Sequence, residues 1–293
     1  MLDGWWREVF EASVVDCSLH RLLGAQSRTE TISPSGGPVH RVGPGVATVA
    51  LLLCLAGGCS AIRLADIEAP RPAPENSCLI VGFLGGRDAW NDEGKGVRQM
   101  ALRLRSTDHN RFAETFENRR RDVALAFVVQ ALDRDKNGEV EPSESSDVTT
   151  VIYGQSFGGA AVVKFARQLE ALEIAIHLTV QVDSVGRRDR TIPASVRYAA
   201  NLYQNNGWFI SGEHPIVAAD PSQTIILGNW KYDYGQPPGV DISVEDLPWY
   251  KIAFRVAHSK MDRDPRVWIL AEDLVRSACS GADLEQWVPT TNP

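Results

Sequence analysis

The chain has 293 residues, 44% hydrophobic and 23% charged, with a formal charge of −7, which suits one ordinary globular domain with an additional segment. The acidic balance and the lack of any basic stripe argue against nucleic-acid binding as the main activity. Arg119-Arg120-Arg121 reads as a solvated helix face, and none of the five cysteines stands in a CxxC or Cys/His metal spacing.

Residues 1–58 read as a leader. Met1 to His40 has no sustained period and ends in Ser33-Pro34-Ser35-Gly36-Gly37-Pro38. His40-Arg41 then flanks the apolar run Val46 to Leu55, which is too short for a comfortable transmembrane helix. Ala56-Gly57-Gly58-Cys59 follows, and the whole resembles a bacterial lipoprotein signal, with Ala56 where leucine is commoner. That resemblance implies acylation of Cys59, membrane attachment and a place in the bacterial cell envelope, facing the periplasm or the exterior. Because some forty residues precede the signal, translation is expected to begin nearer Val39 or Val42. Residues 59–75, with Ala69-Pro70-Arg71-Pro72-Ala73-Pro74, read as a proline-rich tether. Only Cys78 and Cys279 fall in the domain at 76–293; an exported compartment permits their disulfide, and two buried free thiols fit as well.

Within the domain, Ser77 to Phe83 is the continuous apolar run that a strand buried on both faces requires, and it ends in Leu84-Gly85-Gly86. Gly96 to Arg105 reads as a helix with Val97, Met100, Ala101 and Leu104 on one face, Phe112 to Phe116 as a short strand, and Asp122 to Leu132 as a second helix. The helix runs straight into residues 133–144, which fit an EF-hand calcium loop. Oxygen side chains stand at positions one, three and five (Asp133, Asp135, Asn137), Gly138 at six, Glu139 at seven, Val140 at eight and Glu144 at twelve. Calcium is the expected ion, in a structural role. Pro142 and the next strand leave barely one turn for the second helix that an EF-hand has.

Val148 to Tyr153 is β-branched and apolar, Gly154-Gln155-Ser156-Phe157-Gly158 follows, and Ala160 to Leu169 carries apolar residues at helical spacing. Strand, sharp turn and helix place the central serine above the sheet edge, with glycines on either side to let strand and helix pass closely. Ile174 to Val182 is the next strand, with Asp183-Ser184-Val185-Gly186 at its carboxyl end, where parallel sheets gather their functional groups. Arg187 to Asp220 is expected to be irregular, its Tyr198, Tyr203, Trp208 and Phe209 lining a pocket or covering the sheet. Thr224 to Gly228 reads as another strand, and Asp264-Pro265 caps a terminal helix through about Ala278.

The stretch Gly154 to Gly158 in its strand and helix resembles the nucleophile elbow of the α/β-hydrolase family, in its serine lipase, esterase and thioesterase branch; the resemblance covers roughly Asn76 to Thr291. It agrees with the alternation of strands and helices, which indicates an α/β fold with a doubly wound, mostly parallel sheet. The resemblance implies a Ser156 nucleophile and an oxyanion hole formed by backbone N–H groups. Phe157 supplies one of these; the other comes from Phe83-Leu84-Gly85, which occupies the place of the family's glycine turn without its usual His-Gly, and Leu84 is the expected donor. Of six histidines, His258 alone lies between the last expected strand and the last helix, as the family's base does. The acid is Asp183 or Asp233; Asp183, which directly terminates a strong strand, is preferred. The activity implied is hydrolysis of carboxylic ester or thioester bonds in a small-molecule or lipid substrate, with no organic cofactor. The alternative is a catalytically inactive binding or scaffolding lipoprotein on the same fold.

Overall fold

The computed structural model describes residues 61–206, 212, 215–235, 242–245 and 249–289. The leader, Cys59, His214, Trp208 and Phe209 lie outside the described residues. Gly58–Pro293 forms one compact unit.

Its centre is a six-stranded, wholly parallel sheet: β1 (Ser77–Leu84), β2 (Arg111–Glu117), β3 (Val148–Gln155), β4 (Ile176–Val182), β6 (Val196–Gln204) and β8 (Ile225–Tyr232), in the spatial order β2-β1-β3-β4-β6-β8. A two-residue pair, β5 (Thr191–Ile192) with β7 (Val217–Ala218), stands apart from it. Parallel strands need crossovers; α1 (Gly96–Thr107), α2 (Arg121–Leu132), the short α3 (Pro142–Ser146) and α4 (Phe157–Glu170) lie in those between β1 and β4, while α5 (Trp249–Arg263) and α6 (Pro265–Cys279) follow β8.

Side chains alternate across each strand, so the apolar runs feed two cores. Ile80, Val151, Tyr153, Leu178 and Val180 pack with Met100 and Leu104 of α1 and Leu270 and Leu274 of α6. Leu79, Val81, Phe83 and Ile152 pack with Phe127 of α2 and Val162 and Phe165 of α4. Helices therefore cover both faces, and the fold is a doubly wound α/β sheet. Asp264 caps α6 by accepting from the Arg266 N–H at 2.9 Å, with Pro265 in the first turn.

Two sequence expectations change, and one open alternative is decided. The span Arg187 to Asp220 is not irregular: it contains β6, a central strand of the sheet. Ala199, Ala200 and Asn201 in its middle are poor strand formers, yet all are fully buried between β4 and β8, and tertiary placement overrides propensity. The proline-rich segment is not a free tether. Ile62, Ile67, Ala69 and Ala73 are buried in the α2/α4 core, and the backbone is held to the β2 edge by Ile62 N–H to Glu117 Oε1 (3.3 Å) and Ala69 N–H to Glu114 Oε1 (3.2 Å) and to α2 by Ala73 N–H to the Ala131 carbonyl (2.7 Å). Finally, Cys78 and Cys279 are joined in a disulfide, Cα atoms 5.4 Å apart, linking the start of β1 to the end of α6.

Candidate active site

Ser156 follows β3 at φ 60°, ψ −126° and is the N-cap of α4. A non-glycine residue with positive φ is strained, and the surroundings hold it there. Its N–H donates to the Val182 carbonyl (3.0 Å), while its carbonyl accepts from Gly159 (2.9 Å) and Val185 (3.0 Å). The flanking glycines are sterically required: a Cβ on Gly158 would lie 2.0 Å from the Phe83 carbonyl oxygen, and one on Gly154 would lie 2.5 Å from the Gly158 oxygen. Ser156 is 7% exposed and Phe157, directly after it, is 40% exposed.

Asp183 leaves β4 at φ 44° and is fully buried. Its Oδ2 lies 2.6 Å from Nδ1 of His258 and also accepts from Gln204 Nε2 at 3.2 Å. An Nδ1–H directed at the carboxylate leaves Nε2 with its lone pair. His258 sits within α5, not in the loop its position suggested, so a helix fixes its backbone. Its Nε2 faces Gln155 Nε2 at 3.5 Å, and Ser156 Oγ makes no hydrogen bond to a described residue. Catalytic hydrogen bonds in unliganded sites are often loose and tighten only around a substrate. Asp233 is elsewhere: Oδ1 accepts from Asn206 Nδ2 (2.6 Å) and Gly235 N–H (2.8 Å) in an exposed turn, and those donors, the Gly235 amide first, hold its carboxyl below the usual range.

Leu84 has its carbonyl turned toward β2, where Asn118 Nδ2 donates to it at 3.0 Å and to the Gly86 carbonyl at 2.7 Å. In a trans peptide the next N–H points the opposite way, so the amide aimed toward β3 and Ser156 is that of Gly85. Leu84, as an extended residue, directs its own N–H to the β2 side. A Cβ on Gly85 would lie 2.9 Å from Ser156 Cβ, which shows how closely this backbone approaches the serine. Sequence reasoning missed Gln155 and Asn118, and within Phe83-Leu84-Gly85 it chose Leu84 where the peptide geometry turns the Gly85 amide toward Ser156.

In the 133–144 loop, one carboxylate oxygen each from Asp133, Asp135 and Glu144 lies within 4.8 Å of the others. Asp133 accepts from the Asn137 and Gly138 amides at 3.1 and 3.0 Å, and Glu144 accepts from Arg134 at 2.7 Å and Glu141 at 3.0 Å. A hydrogen bond between the Glu141 and Glu144 carboxyls, with those amides, pushes Glu144 down to about 2 and Glu141 up. Glu139 is exposed, its N–H donating to Asn137 Oδ1 at 2.7 Å. The convergent oxygens are hard donors of the kind calcium takes.

No protein-family model matches the chain. No curated protein matches it. Among solved structures it is similar to "a novel cutinase-like protein from Cryptococcus sp.", at 13% identity and a TM-score of 0.25, over 43% of this chain and 63% of that one, so the chain spans less than two thirds of that structure's length. Among the described residues no helix is long and apolar enough to cross a membrane.

Proposed function

We propose that this chain is a serine hydrolase cleaving carboxylic ester or thioester bonds through an acyl-enzyme. The observation that carries the reading is the 2.6 Å contact between Asp183 Oδ2 and His258 Nδ1, made across 75 residues of sequence beside a serine held at φ 60°. His258 Nε2 takes the Ser156 proton as Oγ attacks the carbonyl carbon. The tetrahedral oxyanion is received by the N–H groups of Phe157 and Gly85, the latter replacing Leu84 in this role, with Asn118 fixing the peptide plane. The imidazolium, stabilised by Asp183, gives its proton to the departing alcohol or thiol. Water, deprotonated by the same nitrogen, then releases the acid and restores Ser156.

A fluorophosphonate probe tests this directly: the parent chain should label at Ser156 and Ser156→Ala should not. The second reading, a silent binding or scaffolding protein, is favoured by the Ser156 Oγ that lacks a hydrogen bond to His258; an unlabelled parent would select it.

Two further assignments belong to the same reading. Cys59 carries lipid and holds the protein in the bacterial envelope, the support being the leader pattern; Cys59→Ala should move it from the membrane to the soluble fraction. Asp133, Asp135, Asn137 and Glu144, with the Glu139 carbonyl, would hold calcium in a structural role, since hard oxygen donors gather there without approaching Ser156. Substrates are small-molecule or lipid esters rather than nucleic acid, given the acidic charge of −7.

A further inference from the structure

Resting on the hydrolase reading, we propose that Lys95 is a positioning residue that fastens the loop carrying the Gly85 amide to the helix carrying His258. The loop runs from Gly85 to Lys95, and its near end is fixed by Asn118. At its far end Lys95 Nζ stands 3.2 Å from Asp88 of the same loop and 3.9 Å from Asp262 of α5. Asp262 lies four residues beyond His258 and so shares its helix face.

Several observations mark this junction as built for contact. The Trp268 ring covers Gly96 so closely that a Cβ there would lie 2.0 Å from it. The same indole donates its Nε1–H to the Asp262 carbonyl at 2.7 Å. Asp262 Oδ1 is buried without a hydrogen-bond partner. The only cationic side chain within ion-pair distance of its carboxylate among the described residues is therefore Lys95.

Charge balance supports the geometry. Burial raises the Asp262 carboxyl, while Lys95 and His258 pull it back and Asp88 raises it further. Burial alone would lower Lys95, yet Asp262 and Asp88, with Asp92 adding to them, outweigh it and leave the amine raised. One ammonium thus offsets three carboxylates on two elements. Without it, Asp88 and Asp92 on the loop repel Asp262 on the helix, and the oxyanion amide and the base lose their common frame.

The test uses the full chain, a p-nitrophenyl ester and a fluorophosphonate probe. Lys95→Met should lower kcat about 10- to 100-fold, the scale of a misplaced catalytic group, with KM within about 3-fold. Lys95→Arg should restore kcat to within about 3-fold of the parent, since it keeps the charge. Should Lys95→Met fail to fold, Asp262→Asn cuts the same bridge from the helix side and should lower kcat in the same way. A labelled parent whose Lys95→Met or Asp262→Asn variant keeps its kcat overturns the proposal, as does an arginine variant no better than the methionine one. A parent that takes no label and turns over no ester overturns the hydrolase reading, and this proposal falls with it.

Discussion

Two clusters of candidate functional side chains are assembled in opposite ways. The 133–144 loop draws its acidic oxygens from one short run of sequence, and they are aimed by bonds between near neighbours such as Asn137 N–H to Asp133 Oδ1. The Ser156 corner draws on β1, β3, β4 and α5, and its acid and base meet across 75 residues. Local turns suffice for the first, whereas the second exists only while two packed cores hold the sheet. Damage to the core should therefore silence the corner and leave the loop's response to cations in place.

The largest expected effect is at the corner itself. Ser156→Ala should lower ester turnover by on the order of 10⁶-fold with an unchanged circular dichroism spectrum, and the loop's calcium response should be untouched. Asp183→Asn should lower kcat about 10⁴-fold by presenting the wrong partner to Nδ1, while Asp233→Asn should stay within about 2-fold because that exposed carboxylate serves only a turn. The opposite ranking in steady-state assays would transfer the acid role to Asp233.

A third change attacks the frame. Gly158→Ala puts a methyl where the Phe83 carbonyl stands, and should cost about 1–3 kcal/mol of stability as well as activity, read by denaturant unfolding and ester turnover together. Stability lost with full turnover would mean that the corner tolerates more movement than its packing implies.

The smallest effect sharpens the comparison from the other side. Calcium at a hundred times its Kd should add about 2.7 kcal/mol, a few degrees in Tm, without changing kcat, and Glu144→Gln should remove the response. Because the Glu144 carboxyl is depressed to about 2 in the fold, its contribution is complete above the ordinary carboxylate range and is lost as pH falls toward that value. Thermal melts with calcium and with chelator across that range check both statements, and a calcium-dependent kcat would join the two clusters after all.

The same division explains what the sequence could reveal. Gly154, Ser156 and Gly158 announce the turn because their spacing is itself the turn, and Asp183 could be singled out because it directly ends a strand, Ile176 to Val182, whose alternate positions are apolar. The loop donors were readable for the same local reason. Lys95, Asn118 and Gln155 were not, since nothing in an isolated lysine, asparagine or glutamine says which distant carbonyl or ring it will meet. β6 stayed hidden because a central strand squeezed between neighbours can be built of alanine and asparagine. The prolines at Pro70, Pro72 and Pro74 suggested freedom, and only the burial of Ile62 and Ile67 reveals that the segment is committed to the core. The Cys78–Cys279 pairing, 201 residues apart, depends wholly on the fold.

The docking of Ile62 on Glu117 fixes where the described chain leaves the sheet. Glu117 is level with Leu84 at the carboxyl rim of the sheet, and β2 lies two strand spacings, about 10 Å, from β3 and its serine. Three covalent steps from Ile62 to Cys59 reach about 11 Å at full extension. A lipid on Cys59 would thus moor the protein by its working rim on a very short leash. Ser156 would then be presented to ester groups lying in or beside that same bilayer surface, and hardly at all to solutes on the far side of the protein.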